Sequence, residues 1–252
     1  DDIGKIKSEN IITNIPENTV FESGGWDATE AVQWRTKRCE IDIINYDEID
    51  AKKLINDYIS IQKPVLIKNA IHHSPHLRKL FEKENFKSLF GKTMVSTGEI
   101  PYSSTYHKKE SRGEFFKLKR GINHYVFCGL DKNRDQKLIA EFANLELTKY
   151  LYNENWQFYA GPKESGAPLH IHTNAWNLLI YGKKRWIIDS PFEGVYSIEH
   201  IRKWLKNNEG KHREFIQEAG DLVYIPRYWS HGVINLKESI GVATEFTSPY
   251  IY

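Results

Sequence analysis

Short apolar runs recur at close intervals along the C-terminal half of the chain: residues 156–160, 168–171, 177–181 and 185–188, then 214–216, 222–225, 232–235 and 241–246. Gly, Pro, Asn, Asp or Ser separate most of them, the pattern of strands joined by turns. A helical pattern interrupts the series at 197–208, where Ile198, Ile201, Trp204 and Leu205 recur on one face. This half reads as a barrel.

The N-terminal half alternates between the two periods. Residues 1–36 are polar and Asn-rich, with Gly24-Gly25, and read as a surface arm anchored by Trp26 and Trp34. Residues 39–46 alternate apolar and polar as a half-buried strand does, and Asp47 is placed to cap a helix to about Ser60. Further strands are expected at 65–67, 93–97 and 124–127. Helices are expected from Ser74-Pro75 to about Asn85, over 113–120, and within the polar 131–155 segment. Residues 98–112 read as a loop, and its Tyr102, Ser103, Ser104, Thr105, Tyr106 and His107 have the composition of a pocket rim or, equally, of an ordinary solvated loop. With no internal repeat, the expectation is an arm (1–36) and one domain (37–252), divided into a helix-and-strand half (37–155) and a barrel core (156–252).

Composition narrows this picture. Aromatic residues make up 13% of the chain, which suits pleated surfaces. The 35 basic and 33 acidic residues balance to +2, so no strong field favours nucleic acid or an acidic membrane. No apolar run reaches the roughly 18 residues a membrane helix needs, so no membrane insertion is expected. Cys39 and Cys128 are too few for a disulfide framework or a zinc ribbon. They read as two buried thiols or as one pair. The start, Asp1-Asp2 without Met, reads as trimmed and leaves room for a removed targeting segment.

Chemistry concentrates at His170-Ile171-His172. Two imidazoles at i and i+2 on a strand share one face, as ligands of one metal must. His231, some sixty residues on, is the obvious third ligand. It follows Gly220-Asp221, a tight turn feeding the 222–225 strand. The alternative for the pair is two polar residues at a strand edge.

The flanking residues sharpen the reading. GPKESGAPLHIHTNAWNLLIYGKKRWIIDSP followed by EAGDLVYIPRYWSHGVINL resembles the JmjC family of Fe(II) and 2-oxoglutarate dependent oxygenases over roughly 156–246, more faintly from Cys39 onward. That resemblance implies a mainly β fold with α additions, the double-stranded β-helix or cupin-like jelly roll, with the helical N-terminal half beside it. Within the family the chain is most similar to a small branch of the endoplasmic reticulum lumen, through its His-x-His and Tyr181-Gly182-Lys183-Lys184-Arg185-Trp186 segments and its Arg38-Cys39 and Tyr106-His107-Lys108 stretches.

Carried over by position, the resemblance makes His170 and His231 metal ligands and puts His172 where most members have Asp or Glu. Three neutral imidazoles still hold Fe(II) or another divalent ion, zinc, copper or nickel included, though without the usual negative ligand. Lys184 matches the lysine that pairs with the far carboxylate of 2-oxoglutarate. Asn177 matches a position lining that subsite, and Tyr106 or Thr105 could add a hydroxyl. Lys183 and Arg185 should face outward by alternation, Trp229 should pack beside the metal loop, and Trp176 and Trp186 should pack the barrel. The expected function is a protein hydroxylase; the alternative is a scaffold module that keeps the fold and the metal but not turnover. A three-His cupin enzyme without 2-oxoglutarate is a third reading, against which Lys184 argues. The absence of a basic tail or a chromatin-reading module favours hydroxylation over histone demethylation. The partner is expected to be a protein and the state a monomer, the chain ending soon after its last barrel strand.

Overall fold

The computed structural model describes residues 23–30, 41–72, 74–99, 107–112, 124–143, 145–149, 151–208 and 212–248. The chain enters the main sheet through a parallel pair, β1 (Asp42–Asn45) and β2 (Val65–Lys68). Parallel strands need a crossover, and here it is α1 (Ala51–Leu54) continued by a π-type turn at Ile55–Ile59. The helix starts later than the periodicity predicts. Asp47 lies in a 3-10 turn (Tyr46–Glu48), Ile49 is extended, and Asp50 is the cap, its carboxylate accepting the Lys53 amide at 2.7 Å.

The single helix expected after Ser74 is two, α2 (Pro75–Leu80) and α3 (Lys83–Phe90). They part at Glu82, which is extended, while the Phe81 carbonyl accepts the Trp26 indole N–H at 2.9 Å. Next come β3 (Met94–Glu99), β4 (His107–Ser111), β5 (His124–Gly129) and α4 (Gln136–Ala143). Strand β4 corrects the loop read over 98–112. It pairs with β3 at the edge of the sheet, where a polar His-Lys-Lys-Glu-Ser run needs no apolar alternation. The helix expected over 113–120 and the anchor Trp34 lie outside the described residues.

The remaining strands are β6 (Tyr152–Gly161), β7 (Gly166–His170), β8 (Ala175–Tyr181), β9 (Lys183–Asp189), β10 (Arg213–Glu218), β11 (Leu222–Ile225), β12 (Ser230–Asn235) and β13 (Ser239–Thr247), with α5 (Ile201–Asn208) between β9 and β10. They fall into two facing sheets. One has the order β1-β2-β11-β8-β13-β6-β5-β3-β4, the other β10-β9-β12-β7. From β6 to β13 the chain passes back and forth between the sheets, which is the winding of a double-stranded β-helix. The N-terminal half is not a separate layer: β2 pairs with β11 and β5 with β6, so its strands widen the major sheet on both sides.

Three packed zones follow from strand alternation. Outside the major sheet, Phe81, Phe86 and Phe142 of the helical half pack on Phe158 and Trp176; the Phe86 and Phe158 rings stack at 5.3 Å. Outside the minor sheet, Ile201, Trp204 and Leu205 of α5 cover Leu169, Ile187 and Ile234. Between the sheets, Trp186, Ile188, Phe215, Val223 and Ile225 fill the barrel. Each such fully buried side chain contributes on the order of 1.5–3 kcal/mol. Gly220, at φ 95°, makes the expected turn into β11. Among the described residues, no helix is long and apolar enough to cross a membrane.

Candidate metal centre

His170 and His231 sit opposite one another on β7 and β12. The ladder then slips: Val233, two residues beyond His231, pairs with Ala167, three residues before His170. This β-bulge turns both His170 and Ala167 toward the barrel interior, which simple alternation along β7 would not do, and Leu169 turns out to meet α5. Gly166 makes the bulge feasible, because a Cβ there would meet the Val233 carbonyl. His172 follows the end of β7, and its carbonyl accepts the Tyr228 amide at 3.0 Å, which holds the loop against the residues before β12.

The three imidazoles converge. Their ligand nitrogens lie within 4.8 Å of one another, with ring centroids 4.3 Å (His170–His231), 4.5 Å (His172–His231) and 5.3 Å (His170–His172) apart. Each Nδ1 faces a backbone carbonyl: Pro168 at 2.8 Å for His170, Thr173 at 2.7 Å for His172, Trp229 at 2.9 Å for His231. A carbonyl only accepts, so each neutral ring carries its proton on Nδ1 and leaves the Nε2 lone pair for the shared centre. Burial and the neighbouring imidazoles push His231 well below the ordinary histidine range, and burial first, then His172, pushes His170 to about 4. Neutral nitrogens at one point are the donor set of a divalent transition metal.

Deeper in the same cavity is Lys184, fully buried. Its ammonium lies 3.4 Å from the Tyr159 ring centroid and 3.3 Å from the Tyr125 hydroxyl, with no carboxylate partner among the described residues. Burial alone drives its pKa well below that of a free lysine. Asn177 lines the cavity beside it. Its Oδ1 accepts the Tyr159 hydroxyl at 2.8 Å and Gln217 Nε2 at 3.3 Å, which orients its amide NH2 as the remaining donor.

The structure thus brings His170, His172, His231, Lys184 and Asn177 around one cavity. Thr105 and Tyr106 lie outside the described residues. Tyr125, Tyr159 and Gln217 were not anticipated; only the face each strand turns inward reveals them, and the pairing that sets that face is not local. Arg185 has the outward aim that alternation predicts, without being exposed. It is 1% exposed and ion-paired to Glu214 across β9 and β10, whereas Lys183 is half-buried and reaches Glu30 at 3.2 Å. Trp186 packs the barrel, stacked on Phe215 at 5.8 Å, and Trp176 lies edge-on to Trp156 at 5.4 Å. Trp229 is partly buried against the barrel core. Cys128 is a half-buried thiol that burial pushes up to about 11; Cys39 lies outside the described residues.

The JmjC domain model matches residues 135–252, which include every residue of the centre except Tyr125. The arginine-specific demethylase JMJ22 of Arabidopsis thaliana is 34% identical over 79% of this chain and 45% of its own length. The JmjC domain-containing protein 8 of Rattus norvegicus is 23% identical over 88% of both chains. The 2-oxoglutarate and iron-dependent oxygenase JMJD4 of Gallus gallus is 28% identical over 33% of this chain and 24% of its own. The chain spans less than half the length of JMJ22 and of JMJD4 that it matches.

Proposed function

The chain belongs to the JmjC-domain family, and from that premise we propose that it is an Fe(II) and 2-oxoglutarate dependent oxygenase that hydroxylates a protein side chain. One observation carries this reading: a buried lysine without a carboxylate partner shares its cavity with three converging imidazoles. A buried cation is costly unless an anion meets it, and a dicarboxylate spanning the cavity satisfies both ends.

His170, His172 and His231 would hold the metal through Nε2. Lys184 and the Tyr125 hydroxyl would take the far carboxylate, and the Asn177 amide would orient the molecule between them. When bound, metal and cosubstrate supply oxidation of a substrate C–H bond by O2, coupled to conversion of 2-oxoglutarate to succinate and CO2. Trp186, Ile225 and Val233 wall the cavity with apolar surface and keep water from the reacting centre. Demethylation begins with the same C–H hydroxylation, on an N-methyl group, so the two outcomes differ in substrate rather than in machinery. The balanced surface charge gives no reason to favour a nucleic-acid-bound substrate.

The test is anaerobic titration with Fe(II) and 2-oxoglutarate, then O2. Succinate release supports the oxygenase, and peptide mass shifts of one oxygen, rather than formaldehyde, support hydroxylation. Failure of 2-oxoglutarate to bind at any metal loading overturns the reading. A second reading is favoured by His172 standing at the usual carboxylate position: a scaffold that binds metal and cosubstrate without turnover, for which binding without succinate is the expected result. The proposed compartment is the endoplasmic reticulum lumen and the proposed state a monomer. The first rests on the sequence resemblance and is tested by cofractionation of the full-length protein with luminal markers.

A further inference from the structure

Three imidazoles bind a divalent ion without cancelling any of its charge. If the cavity takes a dianion and Lys184 is protonated, one positive charge stays uncompensated in a partly buried site. The residues lining the cavity include no carboxylate. Glu245, on β13, stands at its mouth.

Three placements put it there. Ala243 lines the cavity, and Glu245, two residues on, projects from the same face of the strand. Its pairing partner across the sheet is Ala175, itself a lining residue. Its carboxylate is then held from both sides: Oε2 accepts the Thr173 hydroxyl at 2.8 Å, one residue beyond His172, and Oε1 lies 3.5 Å from Nε2 of Gln157, another lining residue. Glu245 is half-buried and, among the described residues, has no Lys or Arg partner. A half-buried carboxylate lacking a cation costs stability unless something positive arrives. Its field already reaches His170, acting against the burial that disfavours the charged imidazole.

We propose that Glu245 is the counter-charge of the metal, held outside the ligand set by Thr173 and Gln157, and that it supplies the negative charge His172 does not. The proposal rests on the metal and cosubstrate reading above. It makes Glu245 a positioning residue for the ion, acting across space rather than by a bond.

The test uses Mn(II) and Co(II) binding to the full chain by anaerobic calorimetry, without cosubstrate or O2. Glu245→Gln should weaken both ions about tenfold, the size of one screened charge acting on a divalent ion, while the metal-free melting temperature does not fall. Glu245→Asp should stay within about threefold of the parent, and the gap between parent and Gln variant should shrink as salt rises. His172→Asp should tighten both ions and make Glu245→Gln nearly silent, since the ligand set then carries the charge. Equal affinity of the parent and Glu245→Gln overturns the proposal, and so does an Asp variant as weak as the Gln one. Metal binding unchanged in Glu245→Gln with weakened capture of a lysine-containing peptide also overturns it, assigning the carboxylate to substrate. If the parent binds neither ion, the functional reading itself fails and takes this proposal with it.

Discussion

The ammonium of Lys184 lies 3.4 Å from the ring centroid of Tyr159, and its oxygen partner among the described residues is the Tyr125 hydroxyl at 3.3 Å. A ring face and a neutral hydroxyl stabilise a cation far less than a carboxylate does. The metal-free protein therefore holds a cost at this position that a bound anion removes.

Replacing Lys184 with Met should stabilise the metal-free protein and abolish cosubstrate binding together. Exchanging a poorly compensated buried charge for apolar volume is worth about 1–4 kcal/mol in comparable cases. The sign with pH follows from the depressed lysine. The unfolded side chain binds a proton up to about pH 10.4, the folded one releases it earlier, and the parent therefore gains stability as pH rises through that window. The Met variant should lack this rise. Urea melts of both proteins between pH 7 and pH 9.5 decide it, and a less stable Met variant would count against the account.

Binding 2-oxoglutarate should take up a proton. A carboxylate beside Lys184 raises the pKa that burial has lowered, so the side chain holds its proton more tightly in the complex than in the free cavity. Calorimetry in two buffers of different ionisation enthalpy measures the uptake directly. Net uptake at one or more pH values is the expected result; none at any pH would mean that Lys184 is already protonated when free.

How much of this was legible in the sequence depended on whether a signal was local. The eight barrel strands announced themselves as apolar runs, and His170, His172, His231 and Lys184 stood in motifs whose residues are neighbours in sequence. Strand β4 did not, because an edge strand of polar residues carries no period. Tyr125, Tyr159 and Gln217 were hidden for another reason. Their roles depend on which neighbour their strand pairs with, and β5 joins the barrel by lying beside β6. The inward aim of His170 rests on a bulge that alternation along β7 alone would misplace. Alternation gave the outward aim of Arg185 but not its burial, because its partner Glu214 is 29 residues away.

That ion pair carries its own prediction. Arg185 and Glu214 are both almost fully buried, so Arg185→Met should cost about 3–5 kcal/mol by leaving a carboxylate uncompensated. Adding Glu214→Leu should recover most of the loss. Chemical denaturation of the single and double variants checks this, and metal affinity should be unchanged in the double variant because both side chains point away from the barrel interior.

Gly166→Ala tests whether the bulge itself builds the metal centre. A Cβ at this position meets the Val233 carbonyl oxygen and lies 2.8 Å from its carbon and 3.0 Å from Ile234 Cα, all backbone atoms that cannot swing aside. Strands β7 and β12 must then separate at the Gly166–Ile234 pair, directly beside the slip that lies between the pairs of Ala167 and His170. The expected cost in stability is about 1–3 kcal/mol, the usual size for forcing a methyl group into packed structure. Metal affinity should fall by more than stability explains at saturating folded protein, because His170 and His231 no longer share their spacing. Gly129→Ala is the control: it ends β5, its added Cβ would meet nothing within 4 Å, and it should change stability by no more than about 0.5 kcal/mol. If Gly166→Ala stays folded and binds Mn(II) as the parent does, the two histidines are held by something other than the bulge.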